Sequence, residues 1–500
     1  MLNLNIALAA VLATGLPFVA FSRLVLYHFY SKGAFLLDTG LLASLLWHSN
    51  LALALPTSLG GGSYLATHVS PLFWLASAIS RLLPFSMPQF FAGFIGFSHA
   101  LLAAAIFWLL TEGYGLRRGA GPWLATFVAI GFASSGLAIA IALYPHFETL
   151  IAAFFLLFAV AHALGHTRIA PFFFVLGLIT REDAGLHYIA ILGLLVALNV
   201  AYRVPLRQQR PELIYVVVAL VYVIFVMSVQ HLAFPGNSAF ARVYLGDPPF
   251  AHLSVRLIAD RARLLVVERP YIVLPACGAF IWAWFGRNPY LVLGYVACVP
   301  WLMLNLLANN PFAGMIIGYY AFPVLIALAW PLLALLHPRP EHTFGHGTAI
   351  AGFVALLAVS YVPAALIYNP GRLHFIQAVL GSPTLAQQSA TERAVAAISA
   401  ARPALGRLLA DNSVVAIAPN DFTRAEMLDF TGVMPDEIAR SPDTVAFFAD
   451  GYDAMRLRAV ANSAKLLRRY TVPGTSISLA SRRDLEQVPA LAGLLAVSRR

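Results

Sequence analysis

The feature that most constrains this chain is a series of apolar runs, each close to 20 residues long and almost free of charge. A helix of about 20 residues is long enough to cross the hydrocarbon core of a bilayer, roughly 30 Å thick. Charged residues make up only 11% of the chain, against roughly 25% in soluble domains. The sequence therefore predicts an α-helical polytopic membrane protein, for which the lipid bilayer is a partner.

About eleven membrane spans are predicted from these runs. They cover roughly residues 4–27, 88–110, 122–143, 149–164, 169–180, 186–201, 212–234, 270–285, 289–308, 316–336 and 348–368. The first run lacks a basic segment before it and a small-residue cleavage motif after it. We interpret it as the first span, not as a removed signal peptide.

Two regions fall outside these spans and define the predicted domains. Residues 1–369 form the transmembrane domain, in which residues 28–87 are a long first external loop with two interfacial helices. Residues 370–500 have the composition of a soluble protein, with 15 basic and 12 acidic residues. Their pattern predicts helices over about 384–410 and 451–468 and strands over 414–418, 444–448 and 475–479. We therefore expect a small C-terminal α/β domain outside the membrane.

Arginines in the short loops predict the orientation, because cytoplasmic loops carry an excess of Lys and Arg. Eight of them fall on one side: Arg117, Arg118, Arg168, Arg203, Arg207, Arg210, Arg287 and Arg339. This predicts that the N-terminus lies in the cytoplasm and the C-terminal domain on the external side of the membrane. The loop 235–269 disagrees, since it lies outside yet holds five arginines, and an anionic ligand could explain that excess.

The arginines and the cysteines argue against nucleic-acid binding and against cysteine-based sites. The arginines are spread over membrane loops and form no basic aromatic module, so nucleic-acid binding is not expected. The two cysteines, Cys277 and Cys298, lie in apolar spans without CxxC spacing. They predict neither a disulfide framework nor a zinc site.

Four of the ten acidic residues in the first 369 stand next to helix ends in otherwise apolar sequence. These are Asp38, Glu148, Glu182 and Asp183. A charged group at the centre of a membrane helix costs roughly 2.5–3.5 kcal/mol on insertion scales, so such residues usually have a function. The span count brings them to one external face, together with His68, His146, Arg181, His187, Tyr319 and Tyr320.

Some of these residues also have a structural explanation, and a lone loop histidine such as His68 is more often structural than functional. Asp38 could cap a helix, and Arg181-Glu182-Asp183 could be a self-neutralised turn. His146 and Glu148 could bind a divalent metal ion or orient an acid–base pair, although two ligands alone do not make a metal site. Their common face favours a shared functional site.

The motifs resemble those of the GT-C superfamily of membrane glycosyltransferases, and more closely a large bacterial and archaeal family of polytopic proteins of uncharacterised function. The matching elements, in chain order, are Asp38-Thr39-Gly40, His68-Val69-Ser70-Pro71, His146-Phe147-Glu148, Arg181-Glu182-Asp183-Ala184-Gly185 and Tyr319-Tyr320-Ala321-Phe322-Pro323. Two departures stand out. Phe147 replaces the usual proline, and residues 41–45 lack the second acid of the family, which puts a two-carboxylate metal site on this loop in doubt.

The resemblance implies a location in the bacterial inner (plasma) membrane, with the C-terminal domain in the periplasm. It also implies transfer of a sugar from a polyprenyl-phosphate-linked donor to an acceptor on the periplasmic face. Asp38 is then the candidate catalytic base. Arg181, Arg256 and Arg261 are candidates for binding the lipid phosphate, and the other acids and histidines would line the sugar pocket or hold a metal ion. Two alternatives remain open: an ion-coupled transporter or flippase without chemistry, because acids beside broken helices also mark carriers, and a non-catalytic relative whose tail binds lipid-linked glycans.

Overall fold

The fold is taken from a computed structural model, which describes residues 4–32, 39–48, 51–54, 62–236, 240–316, 318–336, 345–366, 369–422, 442–451 and 454–497. Asp38, the candidate base, lies outside these residues, as do Arg339 and the first two glycines of Gly60-Gly61-Gly62, a turn predicted within residues 28–87.

Helices make up most of the chain before the C-terminal region. In chain order they are α1 (Leu4–Tyr27), α2 (Leu41–His48), α3 (Leu72–Ser80), α4 (Met87–Trp108), α5 (Gly121–Ala133), α6 (Gly136–Ala142), α7 (Thr149–Ala163), α8 (Ile169–Leu178), α9 (Ala184–Ala201), α10 (Arg210–Ala233), α11 (Val255–Glu268), α12 (Pro270–Phe285), α13 (Leu293–Leu306), α14 (Pro311–Gly314), α15 (Phe322–Ala334) and α16 (His346–Leu366). Each of the eleven predicted apolar segments is helical, and the predicted multi-span helical membrane protein is confirmed.

The spans differ in length and straightness. Among the described residues, five helices are long and apolar enough to cross a membrane. Two further candidates are bent pairs, α5 with α6 at 47° and α11 with α12 at 81°. The remaining apolar segments are shorter, and α8 has only 10 residues. Ser135 begins α6 with its side chain on the Ala138 N–H, so the break in the first pair is a capped helix start.

Side-chain contacts sort the loops between spans into two sets. In one set, Glu112 pairs with Arg117 and His166, both at 2.9 Å, and His162 pairs with Glu212 at 2.9 Å. The other set joins the loops around residues 65–72, 143–148, 179–183 and 306–321 and is described below. The two sets agree with the span count, which places successive loops alternately on opposite faces of the membrane. Which set faces the cytoplasm stays a prediction.

Contacts between Cα atoms divide the chain into two compact units. The first comprises Met1–Ala20, Leu65–Leu72 and Ile95–Phe375, and the second Phe21–Tyr64, Phe73–Phe94 and Ile376–Arg500. The C-terminal region therefore packs with the segments Phe21–Tyr64 and Phe73–Phe94. Within this unit, the Tyr30 hydroxyl donates to a Glu392 carboxylate oxygen at 2.5 Å. The Arg23 guanidinium donates to the Val379 carbonyl at 2.6 Å.

The C-terminal region is a small mixed sheet with helices, as predicted in outline. Its helices are α17 (Asn369–Leu380), α18 (Leu385–Ala400), α19 (Arg402–Leu405), α20 (Asn412–Ile417) and α21 (Ala454–Ser463). Its strands are β1 (Leu408–Ala410), β2 (Thr444–Phe448), β3 (Arg468–Thr471), β4 (Ile477–Ser481) and β5 (Ala496–Val497). They are arranged in the order β1-β2-β4-β3-β5, with β1 and β2 parallel and the other pairs antiparallel.

One predicted strand in this region is wrong. Residues 414–418 were expected to be extended, but they belong to helix α20 and its end. The Asp411 carboxylate accepts from the Ser413 N–H and starts the helix. Because the run Val414–Ile417 is buried throughout, its hydrophobicity could not distinguish a buried helix from a buried strand. The strand in this part of the chain is β1, Leu408–Ala410, which precedes α20.

Candidate functional site

Arg181 lies at the centre of a buried charge cluster in the loop between α8 and α9. Its side chain is 6% exposed. One terminal nitrogen pairs with Glu148, which stands at the start of α7. The Nε atom donates to Oδ1 of Asp183 at 2.5 Å, and the other terminal nitrogen pairs with Oδ2 of the same residue. The guanidinium therefore bridges two carboxylates that come from separate loops.

The electrostatics of this bridge keep Asp183 charged. Burial raises the pKa of Asp183, but the neighbouring Arg181 outweighs burial and lowers it to about 2. Burial likewise lowers the pKa of Arg181, while Asp183 and Glu182 raise it above the usual value. Both groups are therefore ionised at neutral pH. Buried charges need such partners, because an unpaired one would cost several kcal/mol.

Glu182 points to the segment that carries His68. One carboxylate oxygen lies 2.7 Å from Nδ1 of His68, and the other accepts from the Val69 N–H at 2.8 Å. Two further bonds hold this segment: the Leu72 N–H donates to the Ile179 carbonyl, and Gln230 of α10 donates to the Leu65 carbonyl. The segment from Leu65 to Leu72 is thus fastened to the loop that contains Arg181 and to α10.

His146 contributes an aromatic side to the cluster. Its ring stacks on Tyr319 at 4.1 Å and on Phe147 at 4.7 Å, and Tyr319 stacks on Tyr320 at 4.5 Å. Burial, Arg181 and His68 all lower the pKa of His146, so the imidazole is neutral. Because Tyr319 and Tyr320 are only half-buried, their rings remain partly accessible beside the charged residues.

Sequence reasoning missed two tyrosines that border the cluster. Tyr222 of α10 interacts electrostatically with Glu182 and Asp183. Its hydroxyl is buried without a hydrogen-bond partner among the described residues. Tyr244 interacts with Arg181 and lies in a π-helical turn, Ala241–Leu245. The sequence offered only a weak signal for Tyr222 and Tyr244, because a lone tyrosine in an apolar run is usually a packing residue.

His187 lies one turn into α9, where it is enclosed by aromatic side chains. Its ring makes edge contacts with Trp301 at 5.0 Å and Phe322 at 4.9 Å. The Trp301 indole N–H in turn donates to the Tyr320 carbonyl at 2.9 Å. In the part of the chain that the structure describes, Nε2 of His187 is buried and has no hydrogen-bond partner.

The charge cluster does not have the form of a metal site. Across the described ranges, no group of three or more His, Cys, Asp or Glu side chains could hold a metal ion. The Glu148 and Asp183 carboxylates already face the Arg181 guanidinium. The Arg181 guanidinium therefore occupies the space between these two carboxylates, and metal binding by His146 and Glu148 stays a prediction.

Arg256 and Arg261, predicted to bind a lipid phosphate, differ in their surroundings. Arg261 is 5% exposed, and one of its nitrogens donates to the Leu306 carbonyl at 2.8 Å and the Ala308 carbonyl at 2.6 Å. It anchors α11 to the loop after α13. The Arg256 side chain is 93% exposed and lies 3.9 Å from Asp260. Their role in phosphate binding stays a prediction.

The structure thus gathers most of the predicted site residues on one set of helix ends. They are His68, His146, Glu148, Arg181, Glu182, Asp183, His187, Tyr319 and Tyr320. Arg261 is nearby as a structural anchor, and Arg256 points away from the protein. Asp38 lies outside the described residues.

Comparison with known proteins supports the fold. No family model matches the chain, and no curated protein matches its sequence, so the resemblance to the uncharacterised family rests on the motifs alone. The crystal structure of ArnT from Cupriavidus metallidurans bound to undecaprenyl phosphate is similar, with a TM-score of 0.50 at 14% sequence identity. The similarity covers 94% of this chain and 97% of that one. The chain is a multi-span helical membrane protein whose fold resembles that of ArnT.

Proposed function

We propose that the protein is a GT-C-type glycosyltransferase that moves a sugar from a polyprenyl-phosphate donor to an acceptor on the periplasmic face. The observation that carries this proposal is the buried bridge of Glu148, Arg181 and Asp183 at helix ends. It occurs in a fold similar to that of ArnT, whose structure holds undecaprenyl phosphate. Buried charges at a membrane protein's helix ends are costly and usually functional.

In the proposed reaction, Asp38 removes the proton of the acceptor hydroxyl as its oxygen attacks the anomeric carbon. The bond between that carbon and the lipid phosphate breaks, and the phosphate leaves with the electron pair. The configuration at the anomeric carbon is inverted. The developing negative charge on the phosphate needs cations or hydrogen-bond donors, and arginine suits this role because it can contact phosphate with two N–H groups.

The cluster is proposed to hold the sugar instead of taking part in proton transfer. Arg181 is engaged by two carboxylates, so its main contribution is to fix Glu148 and Asp183. The second oxygen of Glu148 is buried and makes no hydrogen bond among the described residues, which leaves it able to accept one from a sugar hydroxyl. Nε2 of His187 and the exposed parts of the half-buried Tyr319 and Tyr320 side chains complete the proposed pocket.

The test is the Asp38→Asn variant, assayed for sugar transfer from polyprenyl-phosphate donors in liposomes. Asn keeps the shape of Asp and can still cap a helix, but it cannot accept the proton. The variant therefore distinguishes a catalytic role of Asp38 from a role as a helix cap. General-base catalysis typically supplies 10²- to 10⁴-fold, and the variant should lose at least about two decades in rate. Asp450→Asn, at an exposed position in the C-terminal region, is the matched control and should keep full activity. Near-normal turnover of Asp38→Asn would move the base to another acid.

The second candidate is a carrier without chemistry. It is favoured by the bent helix pair α5–α6, since broken helices beside charged residues also occur in ion-coupled transporters. The same liposomes distinguish the two functions. A protein that moves a solute across the bilayer while no donor supports transfer would be a transporter or flippase.

A further inference from the structure

Helix α11 leaves the direction of the neighbouring span at a sharp angle. It turns by 81° from α12, with the break at Arg269. Helix α12 exposes large apolar side chains along its length, among them Leu274, Ile281 and Trp284, as expected of a span that faces lipid. Spans tilt on average by about 20° from the bilayer normal. A helix turned by 81° from one of them therefore lies near the plane of the membrane surface.

The two sides of α11 differ in chemistry. The inner side carries Arg261, whose guanidinium is fixed on the Leu306 and Ala308 carbonyls. The outer side exposes the apolar residues Val255, Ile258 and Val266. These positions recur at helical spacing and form one strip. An exposed apolar strip on a helix in the plane of the membrane is typical of an interfacial helix.

Two arginines, Arg256 and Arg263, run beside this apolar strip, two turns apart and both exposed. Asp260 lies between them, 3.9 Å from Arg256 and itself 61% exposed, so that pair is weak and leaves N–H donors available. We propose that α11 lies in the membrane interface, where Arg256 and Arg263 bind the headgroup phosphates of anionic phospholipids of the bilayer.

Bulk phospholipid is favoured over the sugar donor because of the direction in which these arginines point. The loops that border the charge cluster lie on the Arg261 side of α11, since Asn309 and Asn310 hydrogen-bond to the turn that carries Tyr244. Arg256 is on the opposite, outward side. The proposal also accounts for the arginine-rich loop 235–269, which contradicts the charge rule for orientation. It does not depend on the proposed enzymatic activity.

The experiment measures lipid binding by native mass spectrometry of the full-length protein in detergent. The parent, the double variant R256Q/R263Q and the control R393Q/K465Q are titrated with phosphatidylglycerol and with phosphatidylcholine. The control removes two exposed positive charges from the C-terminal region. Each basic residue near an anionic membrane surface is worth about fivefold in binding. We expect R256Q/R263Q to bind phosphatidylglycerol about thirtyfold more weakly, with phosphatidylcholine binding and the control unchanged.

Two results would overturn the proposal. One is equal phosphatidylglycerol affinity in the parent and R256Q/R263Q. The other comes from a third titration with polyprenyl monophosphate. If the double variant loses that lipid but retains phosphatidylglycerol, α11 serves the lipid-linked substrate and not the bilayer. Because both arginines are exposed, the variants should elute as folded protein in size-exclusion chromatography, which is checked before each titration.

Discussion

Replacing Arg181 by Met should destabilise the protein strongly, because it leaves the buried Glu148 carboxylate and the partly buried Asp183 carboxylate without their cation. The pKa of Asp183 falls from 3.8 to about 2, which corresponds to about 2 kcal/mol of net interaction. Glu148, 1% exposed, is even more desolvated. Removal of one partner from a buried ion pair typically costs about 3–5 kcal/mol, and we expect Arg181→Met to fall in that range.

The assay is the apparent Tm in detergent, measured as the fraction of protein that stays monodisperse after heating. The exposed Arg207 supplies the control, since Arg207→Met removes the same group at the surface and should change stability by less than about 0.5 kcal/mol. In the double variant Arg181→Met/Glu148→Gln, one orphaned charge is removed, so part of the loss should be recovered. If Arg181→Met were as stable as the Arg207→Met control, Glu148 and Asp183 would not be charges that depend on a buried cation.

Three further predictions follow from individual contacts. Glu182→Ala should cost about 1–3 kcal/mol, because His68 loses its buried acceptor; an unchanged Tm would mean that this bond does not fasten the loop. The contribution of Asp183 should be complete above about pH 5 and be lost as the pH falls from about 4 towards 2, since its pKa is lowered in the folded protein. The Tm difference between the parent and Asp183→Asn should therefore shrink in that window, and a constant difference would refute the pairing with Arg181. Tyr30→Phe and Glu392→Ala should show a coupling energy of about 0.5–3 kcal/mol in a double-mutant cycle of stability, whereas additive effects would mean that the Tyr30–Glu392 bond contributes nothing.

The helical membrane region was predictable from the sequence because its signal is strong. A run of about 20 apolar residues has few folds open to it, since backbone groups in lipid must be satisfied internally. The grouping of Glu148, Arg181 and Asp183 also followed, because alternate helix ends share a face. The direct bridge between them did not follow. The spacing of Glu148 and Arg181 in the sequence carries no information about a contact between side chains.

The secondary structure of the C-terminal α/β region was harder to predict, because a short buried segment can be either a helix or a strand. The run Val414–Ile417 is apolar throughout, and the cap at Asp411 decides in favour of a helix. Strand β3 was missed because it begins with Arg468 and Arg469 and is partly exposed, which hides the alternation of a half-buried strand. The bonds from Tyr30 to Glu392 and from Arg23 to Val379 join residues more than 350 positions apart, and no local pattern signals them.

The most direct test of the central claim is an experimental structure of the protein with polyprenyl phosphate bound. The account predicts the lipid phosphate on the face that carries Glu148 and Arg181, within hydrogen-bond reach, about 3 Å, of donors on that face. Asp38 should be directed at the position of the transferred sugar. A phosphate bound at the opposite helix ends, beside Glu112 and His166, would contradict the account. So would an Asp38 more than about 15 Å from both the phosphate and the cluster, well beyond the roughly 8–10 Å over which charges interact in salt.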